Sequence, residues 1–185
     1  MAGQAKILTS KEVDSVFKMF ESSRDRAIFA LGIYTGMRIG EIISLKREQV
    51  FTADGIKYII VLSRLKKKDT VYSEIPIMPK LRQVLAEYRK EPSESVWLFP
   101  SSRSECGHVT RVAAHNILSK AFKGINLEGG KTHSMRRTLL TTLSRAGVPL
   151  RTVQKISGHS SLSQLQAYLE VDPEDKHRAL SMVKY

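Results

Sequence analysis

Across residues 51–77 of this 185-residue chain the hydrophobic period changes from 3.6 to two, and at Pro79 it changes back. That double switch constrains the fold more than any other feature, because it places one small sheet inside an otherwise helical chain. The β-branched run 57–65, KYIIVLSRL, predicts one strand, and residues 70–77, TVYSEIPI, predict its return after a turn at Lys66, Lys67, Lys68 and Asp69. Asp54-Gly55 is a hairpin turn that adds a short strand near residues 50–52. The expected fold class is α+β: mainly helical, with a small three-stranded antiparallel sheet.

The flanks read as helices with legible ends. Thr9 and Glu12 form a capping box ahead of Val13, Val16, Phe17 and Phe20. A second helix over residues 24–34 turns Ile28, Leu31 and Tyr34 inward and stops at Thr35-Gly36, and a third starts near Arg38 with Ile39, Ile42, Ile43 and Leu45 as apolar positions. Pro79 opens a helix through Leu81, Val84, Leu85 and Tyr88, after which a turn-rich connection is anchored by Trp97, Leu98 and Phe99. Residues 110–124 are helical through Ala113, Ile117, Ala121 and Phe122. Thr132 reads as the cap of a helix with Leu139, Leu140 and Leu143 inward, ended by Gly147. Pro149, at a first helical position, and Gly158 bracket a short helix. Ser160 or Ser161 then caps another, with Leu162, Leu165 and Leu169 at helical spacing. Asp172-Pro173 starts a closing helix through Ala179, Leu180 and Val183.

A formal charge of +12 and a pI near 9.9 call for a polyanionic partner. No apolar run approaches transmembrane length and no basic amphipathic helix stands out, so nucleic acid is favoured over a membrane surface. Cys106 is the only cysteine, which excludes an intramolecular disulfide, and the N-terminus lacks the apolar core of a signal peptide. A cytoplasmic location is expected. His108 and His115 are seven apart with no carboxylate or cysteine at ligand spacing, and no phosphate-binding glycine motif follows a strand. Neither a metal nor a nucleotide cofactor is expected.

His133 and Arg136, three apart, share a face of the first turn of their helix. The positive end of a helix together with a forked guanidinium suits a phosphate. His159 follows the next helix, and Tyr168 lies on the one after it. Taken alone, Tyr168 reads as a half-buried core tyrosine, and Arg38 with Glu41 as an exposed helix pair.

Together, H-x-x-R, then G-H, then a tyrosine nine positions on, preceded by T-G-M-R-I-G-E from Thr35 to Glu41, resemble the signature of the tyrosine recombinases, the phage integrase family. The resemblance spans about residues 9–183. It implies a domain that cleaves and rejoins DNA at specific sites through a 3′-phosphotyrosine. Arg38, His133, Arg136 and His159 would contact the scissile phosphate, Tyr168 would attack it, and Glu41 would orient the site residues. The family also places a lysine in the hairpin as a proton donor. Counting back from Pro76 favours Lys68, whereas reading RLKK as the strand end favours Lys66. A solvated turn in which all three lysines touch DNA backbone is the alternative.

Arg103, Arg111, Lys120 and Lys123, with Lys66 and Lys67, are candidate DNA contacts, against the reading of a solvated basic face. Residues 1–8 read as a disordered or linker N-terminus and 9–185 as one catalytic domain. The N-terminal core-binding domain of many family members is expected to be absent, as in the single-domain recombinases of fimbrial inversion. Double-stranded DNA is the expected partner, with assembly as a homo-tetramer through the C-terminal segment, against the alternative that this segment packs on its own domain, and with help from DNA-bending accessory proteins. Type IB topoisomerase-like relaxation and a non-catalytic DNA-binding accessory role are the competing functions. Tyr185 is the alternative nucleophile.

Overall fold

The computed structural model describes residues 4–66, 69–169 and 181. Helix α1 (Ser10–Lys18) opens on the reciprocal cap its sequence specifies: Glu12 N–H donates to Thr9 Oγ1 at 3.2 Å, and Thr9 N–H donates to Glu12 Oε2 at 2.8 Å. Helix α2 (Ser23–Thr35) is apolar on all sides from Ala27 to Leu31, each of these fully buried, and therefore becomes the central helix rather than a surface one. One face, through Ile28 and Leu31, packs on α3 (Ile39–Ile43), α4 (Pro79–Arg89) and the sheet. Another, through Phe29 and Ile33, meets α1, α5 (Arg111–Gly124) and α6 (Thr132–Arg145). Gly36 ends α2 with φ 66°, the left-handed cap that glycine supplies without strain.

Strands β1 (Ile59–Lys66) and β2 (Asp69–Pro76) pair antiparallel, with Ile60 opposite Ile75 and Lys66 opposite Asp69. The sheet has two strands among the described residues, not three. The predicted first strand shrinks to a single bridge between Phe51 and Ile56 around the Asp54-Gly55 turn. A 3-10 turn at Arg47–Gln49 curls the chain into that segment and leaves Val50 in helical φ/ψ. The Gln49 side-chain amide then donates to the Val61 carbonyl of β1 at 2.9 Å, taking an acceptor that a neighbouring strand would use.

Leu98 and Phe99 are fully buried as expected, and Tyr88 Oη donates to the Leu98 carbonyl at 2.6 Å, whereas Trp97 is half-buried with its ring against His108. Helix α6 begins one residue earlier than its predicted cap implies: Lys131 is the cap, its N–H held by Ser134 Oγ, and Thr132 is the first helical residue. Pro149 is likewise the cap of α7 (Leu150–Ser157) rather than its first residue. Ser161 caps α8 (Leu162–Tyr168), accepting from Gln164 N–H. Helices α7 and α8 join α6 through a small separate core of Leu140, Val153 and Leu165.

Residues 4–8, read from sequence as linker, form no helix or strand but lie along α6. Leu8 is buried and donates its N–H to Thr138 Oγ1 at 2.8 Å, Arg137 Nη1 donates to the Ala5 carbonyl at 2.6 Å, and Arg137 Nη2 donates to Gln4 Oε1. Lys67, Lys68, Tyr185 and the predicted closing helix lie outside the described residues, Ser181 excepted. Among the described residues no helix is long and apolar enough to cross a membrane.

Candidate active site

Three helix ends converge on one guanidinium. Arg136, one turn into α6 and 2% exposed, donates from Nη1 to the Gly36 carbonyl and from Nη2 to the Ser157 carbonyl, each at 2.7 Å. Gly36 closes α2, and Ser157 ends α7 immediately before Gly158. A single side chain thus joins the T-G-M-R turn to the G-H turn, 100 and 21 residues away in sequence. The peptide carbonyls at these two C-termini carry the negative ends of helix dipoles, which suits a buried cation.

His159 follows at once. Its Nε2 lies 3.4 Å from Arg136 Nη2 and its Nδ1 lies 2.8 Å from Ser157 Oγ. A guanidinium only donates, so Nε2 is the accepting nitrogen and Nδ1 carries the proton toward Ser157. The Gln154 side chain fixes the same turn by donating to the His159 carbonyl. Burial, then the charges of Arg136, Arg38 and Arg64, push the His159 pKa down to about 4, and burial with Arg136 and Arg38 also lowers that of His133. Both imidazoles are neutral at pH 7 and able to accept a proton.

Arg38 caps α3. Its N–H donates to Glu41 Oε2 at 2.8 Å and its Nη1 to Glu41 Oε1 at 3.1 Å, while the side chain stays 44% exposed and open to a ligand. Burial would raise the Glu41 pKa, but the Arg38 N–H, Arg64 and the Arg38 charge outweigh it and hold the carboxylate below its ordinary value. Arg38, Glu41 and His133 line an open cleft of about 520 Å³ with Ile39, Gly40, Ser44 and Arg111. Arg111 was expected only as an outer DNA contact. Its guanidinium lies beside Gly40, where a β-carbon would come within 2.9 Å of Nη2.

The other basic candidates are not gathered with it. Arg103 lines a different recess with Arg24, and Lys120 and Lys123 are exposed on α5 outside both clefts. Lys66 ends β1, and Tyr168 is the last residue of α8. Lys68, the other candidate for the hairpin lysine, and Lys67 lie outside the described residues. Sequence reasoning missed Arg64, which donates from Nε to Glu41 Oε1 at 2.8 Å and is 7% exposed. A signal was present: Arg64 has the strand parity of Ile60 and Leu62, the buried positions of β1. Among the described residues no group of three or more His, Cys, Asp or Glu is placed to hold a metal ion.

A family model described as the phage integrase family matches residues 6–175. The chain belongs to that family. Within it, the chain is 31% identical over 159 residues to the Probable integrase/recombinase YoeC of Bacillus subtilis (strain 168), covering 86% of this chain and 83% of that protein. It is 30% identical to Tyrosine recombinase XerD of Rhizobium meliloti (strain 1021), covering 96% of this chain but 56% of that protein. The fold matches XerH site-specific recombinase bound to palindromic difH substrate in a post-cleavage complex, with a TM-score of 0.76 at 20% identity, over 98% of this chain and 54% of that one.

Proposed function

We propose that this chain is the catalytic part of a site-specific DNA recombinase that breaks and rejoins strands through a 3′-phosphotyrosine. The observation that carries the reading is the Arg136 bridge, which holds the Arg38 turn and the His159 turn together on buried carbonyls. A phosphodiester entering the cleft beside Arg38 and His133 meets charge already fixed in place. The Tyr168 phenolic oxygen attacks phosphorus, its proton passes to a neutral histidine, and the 5′-oxygen leaves with a proton from Lys68 or Lys66. Attack by a 5′-hydroxyl of a second strand reverses these steps and releases the tyrosine. The phosphodiester bond energy is conserved in the adduct, so resealing needs no nucleotide cofactor. Glu41 orients Arg38. Arg111 joins the cleft as a DNA contact, and Arg103, Lys120 and Lys123 are outer backbone contacts in the cytoplasm, where double-stranded DNA is the partner.

Tyr168→Phe tests this directly. A pool of nicked duplexes should give a denaturant-resistant protein–DNA adduct with the intact chain in the presence of chelator, and none with the variant. An adduct that survives in the variant would move the nucleophile to Tyr185 or elsewhere. Relaxation of supercoiled plasmid without exchange between two DNAs would instead favour the topoisomerase-like reading.

A further inference from the structure

Arg64 is a charged residue in the middle of a strand, 7% exposed, and it touches three separate parts of the molecule. On α3 it binds Glu41 with both arms of its fork, Nε to Oε1 at 2.8 Å and Nη2 to Oε2 at 3.4 Å. Within the hairpin its Nη1 lies 3.3 Å from Ser73 Oγ on β2. On α7 the same Nη1 approaches the Ile156 carbonyl at 3.5 Å. The guanidinium also fills the space beside Gly158, where a β-carbon would stand 2.9 Å from Cζ. Gly158 has φ 68°, so this residue is fixed as glycine twice, by its backbone and by its neighbour.

The geometry matters because of what each partner adjoins. Glu41 receives the Arg38 N–H and guanidinium, and Gly158 is followed by His159. Removing a buried arginine's fork from a carboxylate frees both groups to move, and displacements of about 1 Å at a reacting centre cost on the order of a hundredfold in rate. Arg136 joins the same two turns through the Gly36 and Ser157 carbonyls, with His159 Nε2 3.4 Å from its Nη2. Those two bonds hold the backbone of the turns, and the fork of Arg64 holds the Glu41 side chain, which in turn holds Arg38.

We propose that Arg64 is a positioning residue for strand cleavage: it clamps Glu41, and through it Arg38, to the turn that presents His159 and to the lysine-bearing hairpin. This rests on the recombinase reading of the site. In this role Arg64 never touches DNA; it sets the distance between the Arg38 turn and the turn that presents His159. Lysine at this position keeps the charge but gathers its donors on one atom, so it cannot span Glu41, Ser73 and the Ile156 carbonyl as the planar fork does.

The test is single-turnover adduct formation on nicked duplexes of randomised sequence, with rate constant and final amplitude recorded separately, beside equilibrium binding of the same DNA. Arg64→Lys should bind DNA as the intact chain does and reach the same amplitude, but at a rate constant lower by roughly ten- to a hundredfold. A variant that merely misfolds in part loses amplitude and binding while its folded fraction reacts at the normal rate. Arg64→Met combined with Glu41→Gln removes both charges of that pair, leaves only the exposed Arg38 without its carboxylate, and should show the same slow rate at full amplitude. Intact-chain rate constants in both variants, or losses confined to amplitude, would overturn the inference. Failure of the intact chain itself to form an adduct would overturn the recombinase reading and this inference with it.

Discussion

The two histidines make the site sensitive to acid in a direction that can be worked out. His159 has a folded pKa of about 4 against an ordinary 6.5, so between those values the unfolded chain binds the proton and the folded chain does not. Stability therefore rises with pH through that window and is lost as pH falls from 6.5 toward 4. Glu41, also held low, adds a loss in the same direction below its ordinary 4.5. Thermal melts across pH 4 to 7 should show this slope, and His159→Gln should flatten its upper part while leaving the Glu41 portion. The hairpin lysines pose a different residue-scale question. Replacing the leaving 5′-oxygen with sulfur reduces the need for a proton, so such a substrate should rescue whichever of Lys66→Ala and Lys68→Ala has lost the acid. Equal, mild losses in both would assign these lysines to backbone contact. Arg64 was illegible as a functional residue because its partner Glu41 is 23 residues away on another element. Only its strand parity hinted at burial.

The elements differ in how firmly they are held. Helix α2 is buried on every side, whereas α7 and α8 rest on a core of three fully buried side chains. Small satellite cores open at lower free energy than the main one. Amide exchange should therefore be faster over residues 150–168 than over α2, and Leu165→Ala, costing roughly 2–5 kcal/mol, should abolish protection in α7 and α8 while α2 keeps its own. The adduct should fail in that variant, since Tyr168 closes α8. Helix starts such as Thr9 with Glu12 were readable because the cap is closed by residues three apart. The third strand was misread because nothing local announces the Arg47–Gln49 turn or the reach of Gln49 to Val61. Resemblance singled out the motif residues, but nothing in the sequence announced the carbonyl bridge by which Arg136 joins two of their turns. Main-chain acceptors leave no mark in a side-chain pattern.

At the scale of the whole molecule the excess of positive charge governs how DNA is met. Binding should weaken as salt rises, because each phosphate neutralised releases a condensed counterion. Deleting the residues after 171 should spare folding and single-site contact yet stop exchange between two sites, if that segment docks on a neighbouring protomer in a tetramer. A truncation that unfolds would assign the segment to its own core. Reactions assembled with and without a DNA-bending protein would show whether accessory factors help.

Arg136 and Arg137 are adjacent on α6, yet one grips the carbonyls of the site and the other grips residues 4 and 5. The strap formed by residues 4–8 is tied to Arg137 and Thr138, one and two residues past the guanidinium that joins both signature turns, and through Lys6 to Gly129 and Glu12. One helical turn therefore anchors both the N-terminal strap and the two signature turns.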